Sequence, residues 1–143
     1  MSEACEFPKM NATSEAIRKI FRDSKTIAIV GLSEKPDRPS YHVAQYLQEH
    51  GYKIIPVNPA VQTVLGEKSY ASLRDIPEKI DVVDVFRKPE ALPEITAEAI
   101  TVGAKVLWMQ EGIEHNDSAQ KAKAAGLEVV MNKCMLKEHM KSI

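Results

Sequence analysis

The residues best suited to chemistry on a charged ligand lie in Thr26–Ser40, TIAIVGLSEKPDRPS. A β-branched apolar run ends at Gly31, and Ser33, Lys35, Arg38 and Ser40 follow in a polar loop before a helical pattern. Two hydroxyls and two cations ahead of a helix make a donor set for phosphate oxygens. The helix N-terminus adds unpaired N–H groups and a partial positive charge. The spacing departs from the G-x-G-x-x-G dinucleotide turn, since Ser33 and Pro36 stand where its second and third glycines would be. A roomier phosphate loop is therefore expected.

Later segments add to this set. A dinucleotide site expects an acidic residue at the end of the second strand, but Asn58-Pro59 stands there. Asn58 can hydrogen-bond a ligand, and Pro59 can stiffen a loop against a flat base; a plain strand-ending turn explains the pair equally well. Phe86-Arg87-Lys88-Pro89 offers an aromatic face beside two cations. Gln110 follows the fourth strand, where its amide can read a base or an amide-bearing chain. Cys134, ahead of a C-terminal helical pattern, is a candidate redox thiol. Trp108 lies within an apolar strand and is expected in the core. His42, His50, His115 and His139 are scattered, with none at metal-ligand spacing to a cysteine. Neither a G-x-S-x-G elbow nor a G-x-x-x-x-G-K loop occurs. Binding is thus expected rather than catalysis.

Positioning these residues requires alternating strands and helices. Thr13 or Ser14 is placed to cap a first helix with Ile17, Ile20 and Phe21 inward. Strands are expected at Thr26–Val30, Lys53–Val57, Asp81–Phe86, Lys105–Met109 and Leu127–Met131. Helices are expected over Ser40–His50, from Leu92 to Val102, from Asn116 or Asp117 to Ala125, and from Cys134 onward. Val61–Tyr70 reads as irregular, and Leu73–Ile76 as a single turn. Near-continuous apolar strands separated by helices imply a doubly wound, five-stranded parallel sheet with helices on both faces. Its simplest strand order is 3-2-1-4-5, with the strand carboxyl ends collecting the candidate residues at one crevice.

Composition narrows the classes. A chain of 143 residues fits one domain, 1–143. Its net charge of −1 argues against a nucleic-acid binder. The apolar runs are too short for a membrane span, and the N-terminal MSEACEFPKMN lacks a secretory pattern. Two cysteines, Cys5 and Cys134, fit a reduced cytoplasmic chain. No protein partner is named by any of these features.

Six segments together carry a family resemblance: VGLSEKPDRPSY (30–41), HGYKIIPVNP (50–59), LGEKSYASLRDIP (65–77), VDVFRKPE (83–90), VLWMQEGI (106–113) and AGLEVVMNKCMLKEH (125–139). They resemble the small CoA-binding proteins built from one Rossmann-like domain, related to the CoA-binding domain of the succinyl-CoA synthetase α subunit. The resemblance spans about Ile17 to His139. It implies CoA or an acyl-CoA at the strand ends, with Ser33, Lys35, Arg38, Ser40, Asn58, Pro59, Phe86 and Arg87 as its contacts, to which the reading of the residues themselves adds Gly31 and Gln110. Gln110-Glu111-Gly112-Ile113 occupies the place of the synthetase's T-E-G-I segment near the CoA thiol. The synthetase's phosphohistidine domain and an ATP-grasp module have no counterpart here, so ligase activity by this chain alone is not expected. The competing expectations are an enzyme using NAD(P) or acyl-CoA in this crevice, and a thiol-based CoA or redox sensor acting through Cys134.

Overall fold

A computed structural model describes residues 11–143. Five parallel strands form its sheet: β1 (Thr26–Val30), β2 (Lys53–Val57), β5 (Val82–Val85), β6 (Val106–Met109) and β7 (Glu128–Val130). Their spatial order is β2-β1-β5-β6-β7. Helices α1 (Ser14–Asp23), α2 (Pro39–Glu49) and α5 (Met135–Ser142) cover one face; α3 (Leu92–Thr101) and α4 (Asn116–Ala124) cover the other. The strands are buried on both sides, so alternate residues feed two separate cores. Ile27, Ile29, Val82 and Trp108 pack toward α1, α2 and α5. Ala28, Val30, Val83, Val85 and Leu107 pack toward α3 and α4. Trp108 is fully buried and donates its indole N–H to Lys133 O at 2.7 Å.

The doubly wound class agrees with expectation, but the strand order does not. Counting only the parallel strands, the order is 2-1-3-4-5 rather than 3-2-1-4-5. The third parallel strand, β5, pairs with β1 on the side away from β2, in the register Ile27↔Val82 to Val30↔Val85. Two features favour this placement. The segment between β2 and β5 buries Leu73, Ile76 and Ile80 in the α3/α4 core as it passes over the sheet. The Asp81 carboxylate then accepts the N–H groups of Lys25 and Thr26 at 2.8 and 3.1 Å, fastening the entry of β5 to that of β1. The switch point consequently lies between β1 and β5. There one chain turns into α2 on one face and the other turns toward α3 on the opposite face.

Val61–Tyr70, expected to be irregular, contains a small antiparallel hairpin of β3 (Thr63–Val64) and β4 (Glu67–Lys68). Leu65 and Gly66 take the two left-handed turn positions, φ 53° and 79°. Leucine is an unusual occupant of the first, where Asn or Asp would have signalled the turn. Thr13 caps α1 through its Oγ1, which accepts the Ala16 N–H at 3.1 Å. The cap of α4 is His115 rather than Asn116 or Asp117; its Nδ1 accepts the Ser118 N–H at 3.1 Å. The single turn at Leu73–Asp75 and the helix after Cys134 form as expected. No helix among the described residues is long and apolar enough to cross a membrane. Cys5 lies outside the described residues.

Candidate functional site

The strand carboxyl ends form adjoining recesses at the switch point, which together are called the groove. Its first part, about 410 Å³, is lined by Gly31, Ser33, Lys35, Arg38, Pro39, Ser40 and Phe86. Its second, about 550 Å³, shares Pro39 and Phe86 with the first and continues past Arg87, Lys88 and Gln110 to Cys134. A third recess of about 240 Å³, on the α3 side, holds Pro59 and shares Arg87 with the second. Apart from Asn58, every expected site residue therefore lines this groove.

The first loop is built by its own hydroxyls. Ser40 is 5% exposed, and its Oγ accepts the Ser33 N–H at 3.0 Å. Ser33 Oγ in turn accepts the Lys35 N–H at 3.1 Å, which leaves the Ser33 hydroxyl proton for a ligand. Arg38 occupies the N-cap position of α2 without a side-chain cap hydrogen bond, and Pro39 follows in the first turn. The first turn of α2 thus carries no carboxylate. Asn58 makes internal hydrogen bonds: its Nδ2 donates to Leu32 O at 3.0 Å and its Oδ1 accepts the Ala60 N–H at 2.9 Å. Both amide atoms are engaged within the chain, tying the first loop to the end of β2.

Gly31 lies close against the chain leaving β5. Its φ is +89°, and a Cβ built there would lie 2.5 Å from the Phe86 carbonyl oxygen and 3.2 Å from Arg87 Nε. Glycine is required for both reasons. This approach brings Phe86 and Arg87 against Gly31 at the start of the first loop, joining segments more than fifty residues apart in sequence.

Charges of both signs surround the strand ends: Glu94 and Glu98 line the third recess, Glu111 lines the second, and Glu34 and Asp37 lie in the first loop. Among the described residues, the ion pairs engage Arg22, Lys53, Lys105, Lys121, Lys137 and Lys141, and none engages Lys35, Arg38, Arg87 or Lys88. These four cations line the strand-end recesses, and among the described residues none is within ion-pair distance of a carboxylate. Glu111, at the far end, is neutralised by Lys137, whose Nζ lies 3.1 Å from both carboxylate oxygens. Cys134 is half-buried at the N-cap of α5 and shares the cleft with Gln110, as the sequence suggested.

One residue was missed by sequence reasoning. Asp84 is fully buried in the middle of β5, where burial pushes its carboxyl up to about 8 against the opposing effect of a hydrogen bond from Gln110. Gln110 Nε2 donates to Asp84 Oδ1 at 2.5 Å, and Gln110 is itself only 4% exposed. The signal available was a lone carboxylate inside the apolar run VVDVF.

Fold and groove define the class: a doubly wound α/β domain with a crevice at its topological switch point and a loop bearing Lys35 and Arg38 at one end. Comparison with known proteins identifies the family more closely. Residues 25–140 match the model described as "CoA binding domain", and the chain belongs to that family. Bacillus subtilis (strain 168) YneT is 41% identical over 129 residues, covering 90% of this chain and 96% of that protein. A solved structure from Pyrococcus horikoshii OT3 is 46% identical with a TM-score of 0.89, covering 99% of this chain and 98% of that one. An Archaeoglobus fulgidus protein named acetate–CoA ligase [ADP-forming] II is 30% identical over 102 residues. That match takes in 70% of this chain but only 15% of the ligase.

Proposed function

We propose that this chain is a CoA-binding protein, non-catalytic by itself, that holds CoA or an acyl-CoA along the strand-end groove. The observation that carries this reading is the set of four groove cations lacking carboxylate partners, beside a loop whose Ser33 hydroxyl and α2 N-terminus are donors. The residues fit the ligand's chemistry. CoA presents several phosphate charges at one end, which suit Lys35, Arg38, Arg87 and Lys88. At the other it carries a long, uncharged amide arm, which suits the cleft of Phe86, Ile113 and Gln110. In this reading Gly31, Ser40, Asn58 and Pro59 shape the groove, while Ser33 and the cations contact the phosphates. Membership of the CoA binding domain family supports the same assignment.

Calorimetric titration of the Arg38→Ala variant tests it. Losing one charge-assisted phosphate contact should weaken CoA binding by roughly 1.5–3 kcal/mol, about ten- to a hundredfold. Unchanged affinity would move the phosphates away from this loop. A second reading, a thiol-based CoA sensor, is favoured by the presence of Cys134 in the same cleft as Gln110.

A further inference from the structure

Asp84 and Gln110 form a buried polar pair beneath the groove. In β5, Asp84 pairs laterally with Ile29 of β1 and Trp108 of β6. Strand alternation puts its side chain on the face of Val82 and Phe86, the side of α2 and α5. Phe86 lines the cleft, so Asp84 lies two residues deeper along the same face. Its Oδ1 takes the Gln110 amide hydrogen, while Oδ2 is buried without a hydrogen-bond partner among the described residues. An incompletely satisfied carboxyl is an expensive feature for a central strand, and an apolar residue would pack there more favourably. Its one hydrogen-bond partner among the described residues, Gln110, also lines the cleft.

The direction of that hydrogen bond has a consequence. A planar side-chain amide whose Nε2 is held inward turns its Oε1 the other way. We propose that Asp84 is a positioning residue that holds the Gln110 amide with its carbonyl oxygen toward the cleft, where it accepts an amide N–H of the CoA arm. The role rests on the reading that this groove takes CoA. It also orients the ligand. An acceptor at the cleft floor repels phosphate oxygens, leaving them to the cationic loop, and welcomes the N–H groups of the arm.

The test compares two ligands in the full chain by calorimetry. CoA carries the arm, whereas adenosine 3′,5′-bisphosphate has nucleotide phosphates and no arm. Wild-type protein should bind both and prefer CoA. In Asp84→Leu the preference should fall about three- to tenfold, the worth of one neutral hydrogen bond, with bisphosphate affinity unchanged. Asp84→Asn should restore the preference, because its Oδ1 still accepts from Gln110. Gln110→Leu should reproduce the Asp84→Leu loss, and it gives the same reading should Asp84→Leu fail to fold. A preference unchanged in Gln110→Leu, or lost equally in Asp84→Asn, would overturn the positioning role while leaving CoA binding intact. Wild-type protein that binds neither ligand would overturn the CoA reading and this role with it.

Discussion

Replacing Gly31 with alanine should push apart the ends of β1 and β5. Two costs add. Holding an alanine at φ +89° costs roughly 1–2 kcal/mol. The new Cβ would also stand 2.5 Å from the Phe86 carbonyl oxygen, about 0.9 Å inside ordinary contact at 3.4 Å. Backbone rather than a mobile side chain is in the way, so β1 and β5 must part at their ends. That movement strains the 2.8 Å hydrogen bond from Phe86 N to Val30 O. Overpacking of this kind costs roughly 1–3 kcal/mol. The total, about 2–5 kcal/mol, corresponds to a melting-temperature drop of roughly 6–15 °C for a domain of this size. Gly51→Ala is the matched control, with φ +92° and nothing within 4 Å of its Cβ, and should show the conformational cost alone. Thermal and urea unfolding followed by circular dichroism would measure both. Equal destabilisation of the two variants would refute the argument from close approach.

Three further outcomes are expected. Burial of Asp81 opposes its ionisation, but the Lys25 and Thr26 N–H groups and Lys105 hold its carboxyl below the ordinary value of 3.8. Its stabilisation is therefore present above pH 3.8 and lost as pH falls through the lower folded value. Asp81→Asn should cost about 1.5–3 kcal/mol near neutrality by urea unfolding, and a melt indistinguishable from wild type would contradict this. Asp84 has the opposite sign: with its folded value raised from 3.8 to about 8, its contribution grows more unfavourable as pH rises between the two. Asp84→Asn should remove that decline, so parallel stability–pH curves for wild type and variant would tell against a buried protonated carboxyl. If the CoA arm reaches the end of the cleft, the Cys134 thiolate can attack CoA disulfide, forming a protein–CoA mixed disulfide and releasing one CoA thiolate. Intact-mass spectrometry should show a reductant-sensitive adduct absent from Cys134→Ser, whereas an adduct confined to Cys5, or none, would leave Cys134 as a packing residue.

The parts of this fold legible in the sequence were those governed by local chemistry. Gly31 ending an apolar run, the polar loop and the pattern leading to Leu47 announced β1, the loop and α2. Strand order was not legible, because it is decided by contacts such as Asp81 with Lys25 and Thr26, more than fifty residues apart. The hairpin escaped notice because Leu65 occupies a left-handed turn position that leucine seldom takes. Within the site, residue type identified the cations but not how polar side chains are used. Asn58 and Ser40 look alike as ligand donors or as internal ties, and only the three-dimensional partners reveal them tying the loop. Asp84 was hidden for the same reason: its neighbour Gln110 comes from another strand's end.

The central claim is that the groove holds CoA through phosphates at the Ser33–Arg38 loop. Titrating the full chain with CoA, dephospho-CoA, NAD and ATP in one calorimetric series tests it most directly. CoA should bind most tightly, since only it combines the full phosphate set with the amide arm. Tighter binding of NAD than of CoA would contradict the account.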